Sequence, residues 1–331
     1  MSKVTFVESL AKDMKEKKHL SDSSIQAYLR NLRKLNKDET FNNFNFLIDV
    51  ENIQSKLDKY KENTKRNYLI SIVSVLSLST KPLHKKLHDK YYSLMMKKNE
   101  EINKEVNPNE LTDTQEKNWM SWVDIKKKYD EIEKEVDQFY SQKTISENQY
   151  NTLLGYTILS LYIHNVPRRN KDYQIMKLSN KYNTEDSKKF NYLDLSNKQF
   201  IFNSYKTSAK YGTQIIKIDD ALWNVLLKYF RHHKWVMMAR SKGPVIMKDE
   251  EAPYFLLYHN KQPLDKVNSI TRILNKIFDK AIGSSMLRHI FLTDKYGDTL
   301  DKAEKDAKDM AHSSSMQKDY IKKPRTIVVT L

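Results

Sequence analysis

A chain of 331 residues is long enough for two domains of ordinary size, each with its own core. Its 58 Lys and Arg against 42 Asp and Glu leave a formal net charge of +16, which favours a polyanionic partner, while the lack of cysteine excludes disulfides, thiolate nucleophiles and Cys-based zinc sites. No apolar run is long enough to span a membrane and no signal-peptide core is present, so a soluble, intracellular protein without membrane attachment is expected.

Only 5 Gly and 7 Pro punctuate the chain, which points to a helix-rich molecule. Ser21-Asp22-Ser23-Ser24 precedes Ile25, Tyr28, Leu29, Leu32 and Leu35, a capping signal followed by apolar positions three and four apart. A second such helix runs from Thr64 through Tyr68, Ile72, Val75 and Leu76. Residues 1–105 therefore read as a helical domain. Residues 106–118, with Asn107-Pro108-Asn109 and no apolar periodicity, read as a linker. Trp119-Met120-Ser121-Trp122 opens a larger domain over 119–331. Lysine runs such as Lys126-Lys127-Lys128 read as solvated helix faces.

Within the larger domain an apolar segment ends at Leu161-Tyr162-Ile163 and leads through His164-Asn165-Val166-Pro167 to Arg168-Arg169, with Asp172 following. Asp172 falls three positions after Arg169, a spacing at which a carboxylate can brace a guanidinium; Arg168 is the alternate. Phe200 to Tyr205 and Gln214 to Ile218 then read as two short strands of aromatic and β-branched residues joined by a polar turn that holds Lys206 and Lys210. Downstream lie Ser285, Leu287-Arg288-His289, then Met310-Ala311-His312-Ser313-Ser314, and finally Tyr320, after which no tyrosine occurs.

This ordered series resembles the tyrosine recombinases, the phage-integrase-like family, in a viral or mobile-element form. The resemblance rests on an Arg-x-x-Asp box, a strand-Lys-Thr-strand hairpin, a Leu-Arg-His box, a His-Ser box and a terminal tyrosine. The residue types suit phosphodiester transfer: arginine offers a planar fork for two phosphate oxygens, histidine a donor, and tyrosine a hydroxyl that can carry phosphate. The family implies a mainly α fold with a small β-hairpin or sheet, in which a helical core-binding domain and a catalytic domain form a DNA clamp. It implies Arg169, Lys206, Arg288, His312 and Tyr320 as catalytic residues, with Asp172, Ser285 and His289 in support and Arg168 and Lys210 as alternates.

Two positions depart from the family. Ser285 stands where a histidine or lysine is usual, and a serine is at most a weak hydrogen-bond donor to phosphate. His312 and Tyr320 are eight residues apart where nine is common. His289, one position beyond Arg288, points about 100° away on a helix.

The resemblance implies a site-specific recombinase or integrase that cuts and rejoins double-stranded DNA through a 3′-phosphotyrosyl intermediate, with no metal and no nucleotide cofactor. It implies a homotetramer on two DNA sites, working in the host cytoplasm or nucleus; the β-favouring run Thr326 to Leu331 can close the protomer's own sheet or add an edge strand to a neighbour's, and exchange between protomers is the expectation. A type IB topoisomerase, a telomere resolvase and a sequence-specific DNA-binding protein of the same fold without catalysis remain open as alternatives.

Overall fold

The computed structural model describes residues 5–105, 110–183, 188–233, 236 and 252–309. They form a mainly helical α+β fold with one four-stranded mixed sheet, and the chain divides into two compact units, Met1–Leu111 and Thr112–Leu331. Among the described residues no helix is long and apolar enough to cross a membrane.

The first unit is all helix: α1 (Phe6–Lys18), α2 (Asp22–Leu35), a short 3-10 turn at Asn45–Leu47, α3 (Val50–Leu57), α4 (Glu62–Leu76) and α5 (Pro82–Glu105). Ser21 caps α2 by accepting from the Ser24 backbone N–H, and Ile25, Leu29, Leu32 and Leu35 are the face it buries. Those side chains meet Leu10 and Met14 of α1, Ile72, Val75 and Leu76 of α4, and Tyr91 of α5 in a single core. Burying each such side chain stabilises the unit by roughly 1.5–3 kcal/mol. The Tyr91 hydroxyl, buried with the rest, donates to the Leu47 carbonyl at 2.8 Å and so fastens the 3-10 turn to α5.

The segment expected as a linker, 106–118, is not wholly irregular. Its residues 106–109 lie outside the described ones, but α6 (Asp113–Asn118) is a helix closed by a capping box between Thr112 and Gln115. Asn118 accepts from the Ala281 backbone N–H at 2.8 Å, so α6 is fastened to the second unit. The lack of an apolar stripe marked this piece as exposed, and its caps made it helical.

The second unit is built around α8 (Glu147–Ile163), which is buried on all sides from Leu153 to Tyr162. Against it pack α7 (Trp122–Asp137), α11 (Asp220–Phe230) and α12 (Ser269–Phe278). Gly155 lets α12 approach closely, because a Cβ there would lie 3.3 Å from Ile277 Cδ1. The last described helix, α13 (Ser284–Asp309), buries Met286, Leu287 and Ile290 near its start and exposes Leu292, Tyr296 and Leu300 beyond.

The sheet has the order β1 (Lys177–Ser179), β2 (Tyr192–Asp194), β3 (Gln199–Phe202), β4 (Gln214–Lys217), with β1 and β2 parallel and the other pairs antiparallel. The β3–β4 pair is the expected hairpin, in register from Gln199 opposite Lys217 to Phe202 opposite Gln214. The first strand stops at Phe202 rather than Tyr205, because Asn203 and Ser204 turn their N–H groups to the Asn191 side chain. The connection is not a plain polar turn either. It contains a single helical turn, α10 (Ser208–Tyr211), and reverses at Gly212 with φ 63 and ψ −161, a conformation that is essentially glycine's alone. Strands β1 and β2 have no counterpart in the sequence reading. Three residues each are too few to display a period.

Candidate active site

The arginine box follows directly from how α8 ends. His164 caps it with its N–H on the Ser160 carbonyl, and Pro167 holds the preceding residues away from helical geometry. A new short helix, α9 (Asn170–Gln174), then begins with Arg169 as its cap residue in extended conformation, φ −73 and ψ 147. Arg168 and Arg169 thus both lie outside any helix.

This overturns the expected bracing. Asp172 pairs with Arg168, not Arg169: Arg168 Nε donates to Asp172 Oδ2 at 2.9 Å. The i,i+3 argument that chose Arg169 assumes continuous helix through both positions, and α9 starts one residue too late. Arg168 also donates from Nη1 to Gln214 Oε1 at 2.8 Å, and its guanidinium carbon sits 3.8 Å from the Phe202 ring centroid and 5.2 Å from that of Tyr205. Arg168 is therefore engaged on every side. Arg169 accepts from the Asp172 N–H through its backbone carbonyl at 2.9 Å, but among the described residues its side chain makes no hydrogen bond or ion pair, which leaves its fork available to a ligand.

Arg288 approaches from the start of α13. Its Nε donates to the Ser284 carbonyl at 3.2 Å and its Nη2 to Ser285 Oγ at 3.3 Å, so Ser285 accepts from the arginine and turns it. The Arg288 guanidinium is pushed below its ordinary pKa first by partial burial and then by the charge of Arg169, while Tyr162 and Asp172 pull it back up. At any physiological pH it stays charged. The two arginines share one electrostatic neighbourhood although 119 residues separate them in sequence. Among the described residues Asp172 is the carboxylate that acts on Arg288, and it is bonded to Arg168. Burial raises its pKa in spite of the pull of Arg168, Arg169 and Arg288, and its Oδ1 is buried with no hydrogen-bond partner.

Around this cluster the fold is tightly bonded. Tyr162, fully buried on α8, donates to Asn170 Oδ1 at 2.8 Å, and Asn170 Nδ2 donates to Thr271 Oγ1 at 2.8 Å, linking α8, α9 and α12. Asn191 is the residue that sequence reasoning missed. Its Nδ2 donates to the Asp172 carbonyl at 2.8 Å and to the Ser204 carbonyl at 3.0 Å, and its Oδ1 accepts from Asn203 and Ser204. One asparagine thus ties α9 to the neck of the hairpin. Gln214 was read only as the first residue of a strand, and nothing local marks either residue as a latch.

Lys206 and Lys210 both lie exposed in the hairpin connection; Lys206 follows the bend after β3, and Lys210 is in α10 with its ammonium 5.2 Å from the Tyr211 ring centroid. His289 is exposed on α13, beside Arg288 in sequence and on a different side of the helix. His312 and Tyr320 lie outside the described residues, as does the tail from Thr326 to Leu331. The structure thus brings Arg168, Arg169, Asp172, Ser285 and Arg288 together and hangs the lysine-bearing connection from the same framework.

An open cavity of about 760 Å³ lies elsewhere, between α7, α8 and α11 and lined by Tyr129, Glu133, His164 and Lys228 among others. It contains none of the three arginines. Among the described residues no group of three or more His, Asp or Glu is arranged to hold a metal ion. No family model matches the chain, and no curated protein or solved structure is significantly similar to it.

Proposed function

We propose that this protein is a DNA strand transferase of the tyrosine recombinase type, acting on double-stranded DNA. The observation that carries the reading is that Arg169 and Arg288 share one electrostatic neighbourhood with Asp172, whose carboxylate is bonded to a third arginine, Arg168. Like charges held together without a neutralising partner are costly unless an anion completes them. A phosphodiester matches that demand: each fork takes a non-bridging oxygen and stabilises the charge that grows at phosphorus.

In the mechanism, Tyr320 Oη attacks phosphorus in line, its proton passing to solvent, and the bond to the 5′-oxygen breaks. Lys206 protonates that oxygen, leaving a 3′-phosphotyrosyl ester and a free 5′-hydroxyl. His312 joins the arginines on the phosphate. Attack by a 5′-hydroxyl of a partner strand reverses the step, and the ester conserves the bond energy. Strand exchange between two duplexes uses four active sites, hence four protomers, with the tail after Tyr320 passing between them. The recombinase clamp, formed by the helical unit and the catalytic unit, belongs to the same proposal.

A second reading, a DNA-binding protein of the same fold without the reaction, draws support from Ser285, which gives the phosphate no charged donor and accepts from Arg288. Denaturing gels of wild type and Tyr320→Phe on nicked duplexes from the gene's flanking sequence separate the two. A covalent adduct with wild type alone establishes tyrosine cleavage. Specific binding to a mapped site without an adduct on its nicked form favours the second reading.

A further inference from the structure

The hairpin connection 203–213 is closed on itself. Tyr205 donates from its hydroxyl to the Gly212 carbonyl at 2.7 Å, Thr213 Oγ1 donates to Asn203 Oδ1 at 2.9 Å, and the Gly212 N–H bonds to the Ser208 carbonyl at 2.8 Å. A loop so bonded moves as a piece, pivoting at its neck, where β3 ends at Phe202 and β4 begins at Gln214. Arg168 occupies that neck. Its flat guanidinium lies on Phe202, reaches Tyr205, and is bonded at one edge to Gln214 and at another to Asp172 of α9.

We infer that Arg168 is a positioning residue, which sets the hairpin connection and its Lys206 over the Arg169–Arg288 pair instead of binding phosphate itself. The inference rests on the function proposed above for its catalytic consequence, and on geometry alone for its mechanical one. Three features carry it. The donors of Arg168 that face the neck are spent on Asp172 and Gln214. Its side chain is 14% exposed, which leaves little for a ligand to touch. Asn191 ties the same two parts, the Asp172 carbonyl and residues 203 and 204, by a second route. Arginine is suited to this task because its planar fork can stack and donate in two directions at once; a lysine in its place keeps the charge beside Asp172 and loses the span to Gln214.

Two variants test this, Arg168→Lys and Gln214→Leu, the latter at a half-buried residue that bonds Arg168 at a different nitrogen from the carboxylate. Hydrogen exchange of the full-length protein, without DNA, should show amides of 203–213 exchanging about tenfold faster in both variants while α8 and α11 keep their protection. Unchanged exchange in that loop overturns the inference whatever the protein does to DNA. On a nicked duplex that wild type cleaves, both variants should slow adduct formation, and a 5′-bridging phosphorothiolate at the scissile position should restore it, as it should for Lys206→Ala. A thiolate leaves without a proton, so the substitution repairs only defects in delivering the acid. Slow cleavage that the sulfur does not repair in the Arg168 and Gln214 variants, when it repairs Lys206→Ala, overturns the inference. Failure of the sulfur to repair Lys206→Ala instead overturns the acid's assignment, and the exchange result then decides the mechanical role.

Discussion

Removing the two halves of the Arg168–Asp172 pair should have unequal consequences. The arginine side chain is 14% exposed and the aspartate 3%. If Asp172 becomes Asn, the amide keeps the volume and an oxygen for Arg168 Nε, and the released charge on Arg168 can turn towards water. The buried negative charge, which the site disfavours despite three arginines, is also gone. These effects oppose, and the net cost should stay within about 1 kcal/mol. If Arg168 becomes Met, the carboxylate stays buried with neither oxygen bonded, since Oδ1 already has no partner. Breaking a buried pair from that side costs about 3 kcal/mol or more at pH 7. The double variant should regain most of it. The pH dependence has a definite sign. An acid whose folded pKa is raised loses stability as pH rises from its ordinary value, 3.8, through the raised one, and regains it as pH falls. Loss of Arg168 raises it further, so the deficit of Arg168→Met should shrink as the pH falls from 7 towards 3.8. The assay is urea unfolding followed by tryptophan fluorescence. All four tryptophans, Trp119, Trp122, Trp223 and Trp235, belong to the second unit, so the signal reports the unit that holds the pair. Equal costs for the two single variants, or a deficit independent of pH, would refute the argument that burial outweighs the arginines.

Other consequences follow from the same structure. His233 is fully buried, with Nε2 on the Tyr254 carbonyl and Nδ1 unbonded, and burial lowers its pKa to about 4. A base with a depressed folded pKa stabilises the fold above its ordinary value and loses that contribution as pH falls from 6.5 to 4, on the order of 3 kcal/mol in total. The acid-induced fall in stability should be shallower in His233→Gln by about that amount, measured by the same fluorescence over pH 7 to 4. Leu32→Ala, at a position of zero exposure in the first unit, should cost roughly 2–5 kcal/mol in the helical ellipticity transition and leave the tryptophan transition unmoved. Gly212→Ala meets nothing within 4 Å, so its cost of about 1–3 kcal/mol is backbone strain alone and should appear as faster exchange in 203–213. Arg169→Ala should weaken DNA binding and flatten the log–log salt dependence by about one unit of slope; an unchanged slope places Arg169 off the phosphate.

Much of the local structure is written in the chain, because local structure answers to short-range chemistry. Ser21 and its apolar followers specify α2 to within a residue, since a cap and a period of 3.6 need only a dozen neighbours. The β3–β4 hairpin was legible for the same reason, in aromatic and β-branched runs flanking a polar connection with a glycine. The presence of arginines at 169 and 288 was legible too, and so was the charge surplus that invites a polyanion. Partnership, by contrast, emerged from packing. Asp172 chose Arg168 because α9 starts at Asn170, a boundary that one residue of slack in sequence reading cannot resolve. Gln214 reached Arg168 across 46 residues and Asn191 reached the carbonyl of Asp172 across 19, distances over which no local pattern persists. A propensity or a cap is fixed by neighbours along the chain, whereas a hydrogen-bond partner is fixed by which groups burial forces together and leaves no water to satisfy.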